Sequence, residues 1–308
     1  MEYFKTSDDL RVFYRKWLPA NNPVAVVQIA HGMAEHSGCY DELASYLNEQ
    51  GFAVFAHDQR GHGKTAATED EYGFLDGETG WQQLLSDMHQ FNVLLKEQYP
   101  EIPVFLLGHS MGSFLVRDYI SKWGESIDGV ILSATDGPQP LLTIIGLYIA
   151  SRECRKLGDH HRSKRLTDMS FGAYNRKFAP NRTAFDWLSR DTKKVDEYIA
   201  DPRCGGTFTS AFFKALLNGI ISLCKPENLK HIPHDMSFLF ISGEKDPISA
   251  FARRIWKVVD IYEKSGLFDI EAVFYPECRH DLKLELNREV IFKDMITWMT
   301  GKLKEWGK

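Results

Sequence analysis

Val104-Phe105-Leu106-Leu107-Gly108-His109-Ser110-Met111-Gly112-Ser113-Phe114-Leu115-Val116 is the stretch that decides how the rest of this chain is read. Four apolar residues run into Gly-x-Ser-x-Gly, and an apolar helical pattern follows at once. The five-residue motif alone is common by chance. Between a buried strand and a helix it predicts a sharp turn with a serine at its apex. Glycines two before and two after the serine leave room for that turn. Ser110 Oγ is then held at the edge of a sheet, where the helix N-terminus supplies positive potential for a developing oxyanion. The bland alternative, an inert serine in a buried turn, is disfavoured by these flanks.

Outward from this motif the chain alternates strand and helix patterns. Residues 11–18 read as an edge-type strand, and Val24 to Ala30 as a short buried strand. Tyr40 to Gln50 reads as a helix and Phe52 to Ala56 as a buried strand. Trp81, Leu84, Leu85, Met88 and Leu95 share one helical face. Met111 to Trp123 is a predicted helix with Gly124 as its C′ residue. Ile127 to Leu132 is a predicted strand. Past Asp136 the alternation stops, and 136–234 shows helical pieces, Gly and Pro stops and basic clusters. It resumes with Ser237–Ser242 as strand, Phe251–Ser265 as helix, Ile270–Tyr275 as strand and Arg288–Trp306 as amphipathic helix. Such alternation implies an α/β architecture, a mostly parallel central sheet with helices on both faces. The core then comprises 1–135 and 235–308, with 136–234 inserted as a helical cap over the sheet edge where ligands bind.

A nucleophilic serine on a strand-to-helix turn is followed in chain order by an acid and then a histidine. Asp246 follows one late strand, in Ser242-Gly243-Glu244-Lys245-Asp246-Pro247, and His280 follows the next, in Pro276-Glu277-Cys278-Arg279-His280-Asp281. His280 would take the serine proton and return it to the leaving group, and Asp246 would hold the imidazole in one tautomer. Asp136, Glu244 and Asp281 are rival acids; the Asp246 loop fits best, and Asp281 reads more simply as a cap for the next helix. A tetrahedral oxyanion needs two backbone N–H donors. Met111, just after the serine, and Met33, in the loop His31-Gly32-Met33-Ala34-Glu35-His36, are the candidates.

Composition narrows the alternatives. The chain has 308 residues, 44% apolar and 26% charged, as in a soluble globular protein. Its start has no apolar leader region, and no apolar run is long enough to span a bilayer. The net charge of −5 argues against nucleic acid as a partner. Five dispersed cysteines (Cys39, Cys154, Cys204, Cys224, Cys278) favour free thiols and a cytoplasmic setting. No Cys/His spacing resembles a zinc motif, so neither metal nor cofactor is expected; His31, His36, His57 and His62 read as packing and turn residues.

Five segments now stand in order: HGMAEHSGCYDELASYL (31–47), FAVFAHDQRGHGKT (52–65), VFLLGHSMGSFLV (104–116), SGEKDPIS (242–249) and YPECRHDLKLELNREVIFKDMITWM (275–299). Together they resemble the monoacylglycerol lipase and lysophospholipase-like branch of the α/β-hydrolases, grouped with serine aminopeptidase-like proteins. The resemblance covers both core segments. It implies the α/β-hydrolase fold, a Ser110-Asp246-His280 triad, oxyanion donors at Met33 and Met111, a cap, and carboxylic esters such as monoacylglycerols or lysophospholipids as substrates. Ser113 departs from the second glycine that often follows in this family.

Within the insertion, Leu141, Leu142, Ile144, Ile145, Leu147, Tyr148 and Ile149 form a dense apolar stretch, with Leu141, Ile145 and Tyr148 expected to line an acyl pocket or touch lipid; a cap helix packed on the core reads equally well. Arg152, Arg155, Lys156, Arg162, Lys164 and Arg165 follow as a basic rim, more simply a solvated surface. Phe208, Phe212, Phe213, Leu216 and Leu217 share a helical face and read as cap core. The expected function is hydrolysis of lipid-like esters through an acyl-enzyme on Ser110. Two others stand beside it: an aminopeptidase or amidase, which would need a cap acid such as Glu153, Asp159 or Asp186 to hold an amine, and a non-catalytic binding protein.

Overall fold

Strands buried on both faces carry apolar side chains at nearly every position, because neither face meets water. That pattern builds the centre of this protein, a computed structural model that describes residues 2–223 and 225–308. Cys224, one of the five thiols, lies outside the described residues. The chain opens with β1 (Glu2–Lys5), β2 (Arg11–Trp17) and β3 (Ala25–Ala30), then α1 (Asp41–Glu49), β4 (Phe52–His57) and α2 (Gly80–Gln98). β5 (Val104–His109), α3 (Met111–Trp123) and β6 (Gly129–Ser133) follow. Between β6 and the next strand come α4 (Pro140–Leu157), α5 (Lys164–Phe171), α6 (Thr192–Ala200), α7 (Ser210–Ser222) and the short α8 (Pro226–Leu229). The chain ends with β7 (Ser237–Gly243), α9 (Arg253–Lys264), β8 (Ile270–Tyr275) and α10 (Arg288–Glu305).

Among the described residues these strands form one 8-stranded sheet in the order β1-β2-β4-β3-β5-β6-β7-β8. β1 and β2 pair antiparallel at one edge, and every pairing from β4 onward is parallel. Every residue of β3, β4, β5, β6 and β7 is buried. α1 and α10 cover one face with Leu43, Leu47, Phe292 and Met295. α2, α3 and α9 cover the other, where Ile255, Val258, Val259 and Tyr262 of α9 fall at helical spacing toward the sheet. Each such large side chain contributes about 1.5–3 kcal/mol by leaving water.

Three details depart from the sequence reading. β1 was not anticipated; four residues with one fully buried side chain carry too little pattern to be recognised. Gly124 does not adopt the left-handed C′ geometry: its φ is −55°, and it opens a short 3-10 turn. The glycine serves close packing instead, since a Cβ there would meet Pro233 Cδ at 2.5 Å. The helix expected from Phe251 starts at Arg253, because Ala250, Phe251 and Ala252 all have φ between 53° and 63°, outside the right-handed helical region.

The segment between β6 and β7 is helical, and among its described residues the β-structure is a lone bridge between Arg162 and Thr209. α4 packs on α7, and α7 packs on α2 and α3. Among the described residues no helix is long and apolar enough to cross a membrane.

The tightest packing lies where α3 leaves the sheet. A Cβ on Gly108 would stand 2.6 Å from the Gly112 carbonyl, and one on Gly112 would run into the Ala30 carbonyl of β3. Gly112→Ala is therefore expected to destabilise the fold by about 1–3 kcal/mol, the usual cost of overpacking, read as a lower urea midpoint at unchanged slope. An unchanged midpoint would mean that α3 and β3 do not approach so closely.

Candidate active site

Ser110 sits between β5 and α3 with φ 51° and ψ −118°, a conformation that costs a non-glycine residue energy and recurs where a side chain must be presented. The turn is held from both sides. Ser110 N–H donates to the Ser133 carbonyl at 3.0 Å, and the Ser110 carbonyl accepts from Ser113 N–H at 2.9 Å and Ser113 Oγ at 2.6 Å. Ser113, where a glycine was the usual expectation, thus ties the turn to the first helical residues. Met111 opens α3, so its N–H belongs to the donors that a helix leaves without internal acceptors.

His280 follows β8 and Asp246 follows β7. His280 Nε2 lies 3.0 Å from Ser110 Oγ, and His280 Nδ1 lies 3.0 Å from Asp246 Oδ2. Asp246 Oδ1 also accepts from Ile248 N–H at 2.8 Å, which orients the carboxylate. Both residues are buried. Burial alone pushes the His280 pKa down, but the Asp246 carboxylate more than offsets it, and the net shift is upward from 6.5. Asp281 adds to that rise and Lys283 opposes it.

The rival acids are engaged elsewhere. Asp136 pairs with Arg254 at 2.7 Å and accepts from Gln139 at 2.6 Å. Asp281 does not cap the following 3-10 turn through its side chain. Instead it binds Lys283 Nζ at 2.7 Å, and the same ammonium donates to Glu35 Oε2 at 2.7 Å. Glu35 in turn accepts from Tyr40 OH at 2.7 Å and from Gly32 N–H. Burial opposes charge on Glu35, yet Lys283 holds its carboxyl well below the usual range. This buried chain links the His280 loop to the loop that carries Met33. Sequence reasoning missed it: Glu35 and Lys283 stand 248 positions apart, and only Lys283, a lysine amid apolar residues, hinted at a buried charge.

Met33 lies in the loop after β3, beside Ala34, whose φ is 62°. His31 and His62 pack edge to face with centroids 5.0 Å apart, as expected of packing residues. His109, next to the serine, is fully enclosed, and burial followed by Lys283 holds it neutral, well below the usual histidine range.

Two cavities meet at Ser110 and Met33. One, of about 190 Å³, is bordered by His280, Phe171, Trp187, Leu188, Tyr198 and Gly206. The other, of about 260 Å³, is bordered by Met111, Phe114, Leu142, Phe213, Leu216 and Leu217. Leu141, Ile145 and Tyr148 line neither. They are 71%, 42% and 61% exposed, because the α4 face that meets the cavity carries Leu142, Thr143 and Gly146 instead. Phe208 and Phe212 are core residues packed on His62, but Phe213, Leu216 and Leu217 border the cavity as well. The acids considered for an amine are occupied or remote: Glu153 accepts from Ser210 Oγ at 2.9 Å, Asp186 accepts from the N–H of Arg182 and Thr183, and Asp159 borders neither cavity. Of the basic rim, Arg162 is a strut, donating to the carbonyls of Tyr72 and Thr207.

The inserted segment also touches the histidine loop directly. Asp281 N–H donates to the Leu188 carbonyl at 2.8 Å, and the Trp187 ring lies 5.2 Å from the His280 ring. Arg190 closes the contact with an ion pair to Glu285 at 2.7 Å.

Comparison with known proteins gives the family. The sequence model of the family Serine aminopeptidase, S33, matches residues 21–287. The chain is 30% identical to the monoglyceride lipase of Rattus norvegicus over 80% of this chain and 73% of that one. It is 28% identical to the monoglyceride lipase of Homo sapiens over 93% and 89%. Among solved structures, a thermostable carboxyl esterase from Bacillus coagulans in complex with glycerol superposes with a TM-score of 0.88 at 25% identity, covering 98% of each chain. A serine presented by a strained turn, in an 8-stranded, mostly parallel sheet and within a matched span of 267 residues, leaves one assignment: the chain is an α/β-hydrolase of the serine aminopeptidase S33 family.

Proposed function

We propose that this serine ester hydrolase cleaves monoacylglycerol-like or lysophospholipid-like esters, with Ser110 as nucleophile, His280 as general base and acid, and Asp246 as its orienting partner. The observation that carries this reading is the hydrogen-bonded series from Ser110 to His280 to Asp246 where two cavities meet. Ser110 Oγ attacks the ester carbonyl while His280 Nε2 takes its proton, forming the Oγ–C bond. The oxyanion is held by the N–H groups of Met33 and Met111. His280 then protonates the leaving alcohol as the C–O bond breaks. Water, activated by the same imidazole, releases the acid from the acyl-enzyme.

The two cavities suit the two halves of such an ester. The branch bordered by Phe114, Phe213, Leu216 and Leu217 takes the acyl chain, and the smaller branch beside His280 takes the alcohol. Segment 136–234 acts as the cap over both. The glycerol bound by the Bacillus coagulans relative and the names of the mammalian relatives support a glyceride substrate. No cofactor is required. The described cysteines are free thiols, in keeping with a cytoplasmic enzyme.

The exposed face of α4 carries Leu141, Ile144, Ile145 and Tyr148, and exposed Arg152, Arg155 and Lys156 follow on the same helix. We assign this face to peripheral contact with lipid. Leu142 belongs both to this surface and to the acyl cavity, so a lipid drawn out of a bilayer stays in apolar surroundings on its way in.

Ser110→Ala is expected to lower ester turnover by about 10⁴-fold or more and to abolish fluorophosphonate labelling. Asp246→Asn should cost about 10³–10⁴-fold in kcat, and Asp136→Asn far less; the reverse order would transfer the acid role to Asp136. Because the base must be neutral, and the carboxylate raises the His280 pKa, kcat/KM should fall on acidification with a midpoint above pH 6.5. A rate flat from about pH 5 to 9 contradicts a histidine base. Leu141→Glu with Ile145→Glu should reduce binding to anionic phospholipid vesicles and turnover of vesicle-borne monoacylglycerol, while kcat/KM for a short soluble ester stays unchanged. Equal loss on both substrates would mean that this face serves the pocket and not the membrane.

A further inference from the structure

A second cluster of reactive side chains lies one layer behind the oxyanion loop. Cys39 sits in the 3-10 turn Ser37–Tyr40, and Cys204 lies in the inserted segment after α6; they are 165 positions apart, yet their sulfurs stand 3.7 Å from each other. A ring nitrogen of His36 joins them, and the three potential ligand atoms all lie within 4.8 Å of one another. His36 Nε2 in turn lies 2.9 Å from Asp201 Oδ2. None of these residues has a part in the proposed ester chemistry.

We propose that His36, Cys39 and Cys204 form a zinc site, with water in the fourth position. The ligand set is right: two thiolates and an imidazole are what Zn²⁺ selects over hard oxygen-seeking cations. The spacing is right as well. Two sulfurs each about 2.3 Å from a tetrahedral ion stand about 3.75 Å apart, against 3.7 Å here. A disulfide would need those sulfurs to close to about 2.05 Å. The outer partner is present, since a carboxylate on the second ring nitrogen is how metal-bound histidines are commonly oriented. An entry path is present too: a cavity of about 420 Å³ is bordered by His36, Cys39, Asp201 and Cys204. Binding needs both sulfurs as thiolates and the imidazole neutral, so the protons these groups carry leave to solvent as the ion is taken up.

The site joins two parts of the chain that meet at the proposed oxyanion loop. Gly205, next to Cys204, donates its N–H to the Ala34 carbonyl at 3.0 Å, and Tyr198 OH donates to the same oxygen at 2.8 Å. Ala34 follows Met33. A bound ion therefore pins the inserted segment against that loop, and it raises the Tm of the whole chain.

The test uses the full chain, reduced, stripped with a chelator and titrated with Co²⁺ and then Zn²⁺. One equivalent of Co²⁺ should give the intense visible absorption of a tetrahedral ion and a sulfur-to-cobalt charge-transfer band, both removed by Zn²⁺. Cys39→Ser and Cys204→Ser should each weaken the charge-transfer band, and Asp201→Asn should lower Zn²⁺ affinity about 10–100-fold. A measurement on the unsubstituted chain guards against misfolded variants: one equivalent of Zn²⁺ should protect Cys39 and Cys204 from iodoacetamide while leaving Cys154 reactive. Six-coordinate cobalt without a charge-transfer band overturns the proposal. So does alkylation of Cys39 and Cys204 that Zn²⁺ does not slow, or a chain that takes up no metal and instead loses two hydrogens to a Cys39–Cys204 disulfide.

Discussion

The backbone of Ser110 is the constraint around which this molecule is arranged. A non-glycine residue at φ 51° persists only where its surroundings over-determine it. Here they do so through contacts that leave no slack: β3 and α3 approach so closely that only glycine fits at 112, Ser133 accepts the Ser110 N–H, and Ser113 holds the Ser110 carbonyl from the first turn of α3. The sheet supplies the rigidity. Its central strands are buried at every position, so the turn cannot relax without opening the core.

Electrostatics completes what packing begins. The proposed base, His280, is buried, and burial by itself would favour its neutral form so strongly that it would be a poor proton acceptor. The Asp246 carboxylate restores its basicity. Beneath it the Glu35–Lys283–Asp281 chain spans the loops after β3 and β8, so the residues proposed to hold the oxyanion and to move the proton share one buried support. Removing one member of such a set leaves an unpaired buried charge, which is why its cost exceeds that of any surface ion pair in this protein.

The segment between β6 and β7 is a structural partner of the site. Trp187 and Leu188 contact the His280 loop, Tyr198 and Gly205 hold the Ala34 carbonyl, and Phe213 with Leu216 borders a cavity that reaches Ser110. The residues that border the cavities and those that hold the loops beneath them thus belong to one segment.

The sequence alone made legible the strand–helix alternation, the turn at Ser110, and the loops in which an acid and a histidine would follow. These are local matters: hydrophobic period, glycine spacing and chain order are written in neighbouring residues. Met111 was expected beside the serine for the same reason, whereas Met33, in a distant loop, was expected there from the motif of the fold. The sequence favoured Asp246 by its loop, but the tertiary structure sets the contact itself, because Asp246, Asp136 and Asp281 all follow strands and differ in which cation or imidazole lies opposite. It also decided which side of α4 borders the cavity. An apolar run such as Leu141–Ile149 has little polar patterning to mark its orientation, so Thr143 and Gly146 turn inward, Leu142 stands at the rim of the cavity, and Leu141 and Tyr148 turn out. The pairing of Glu35 with Lys283, and of Cys39 with Cys204, lay beyond the sequence for the plainest reason. Contacts between residues 248 and 165 positions apart are set by how the helices and loops pack, and no local spacing records them.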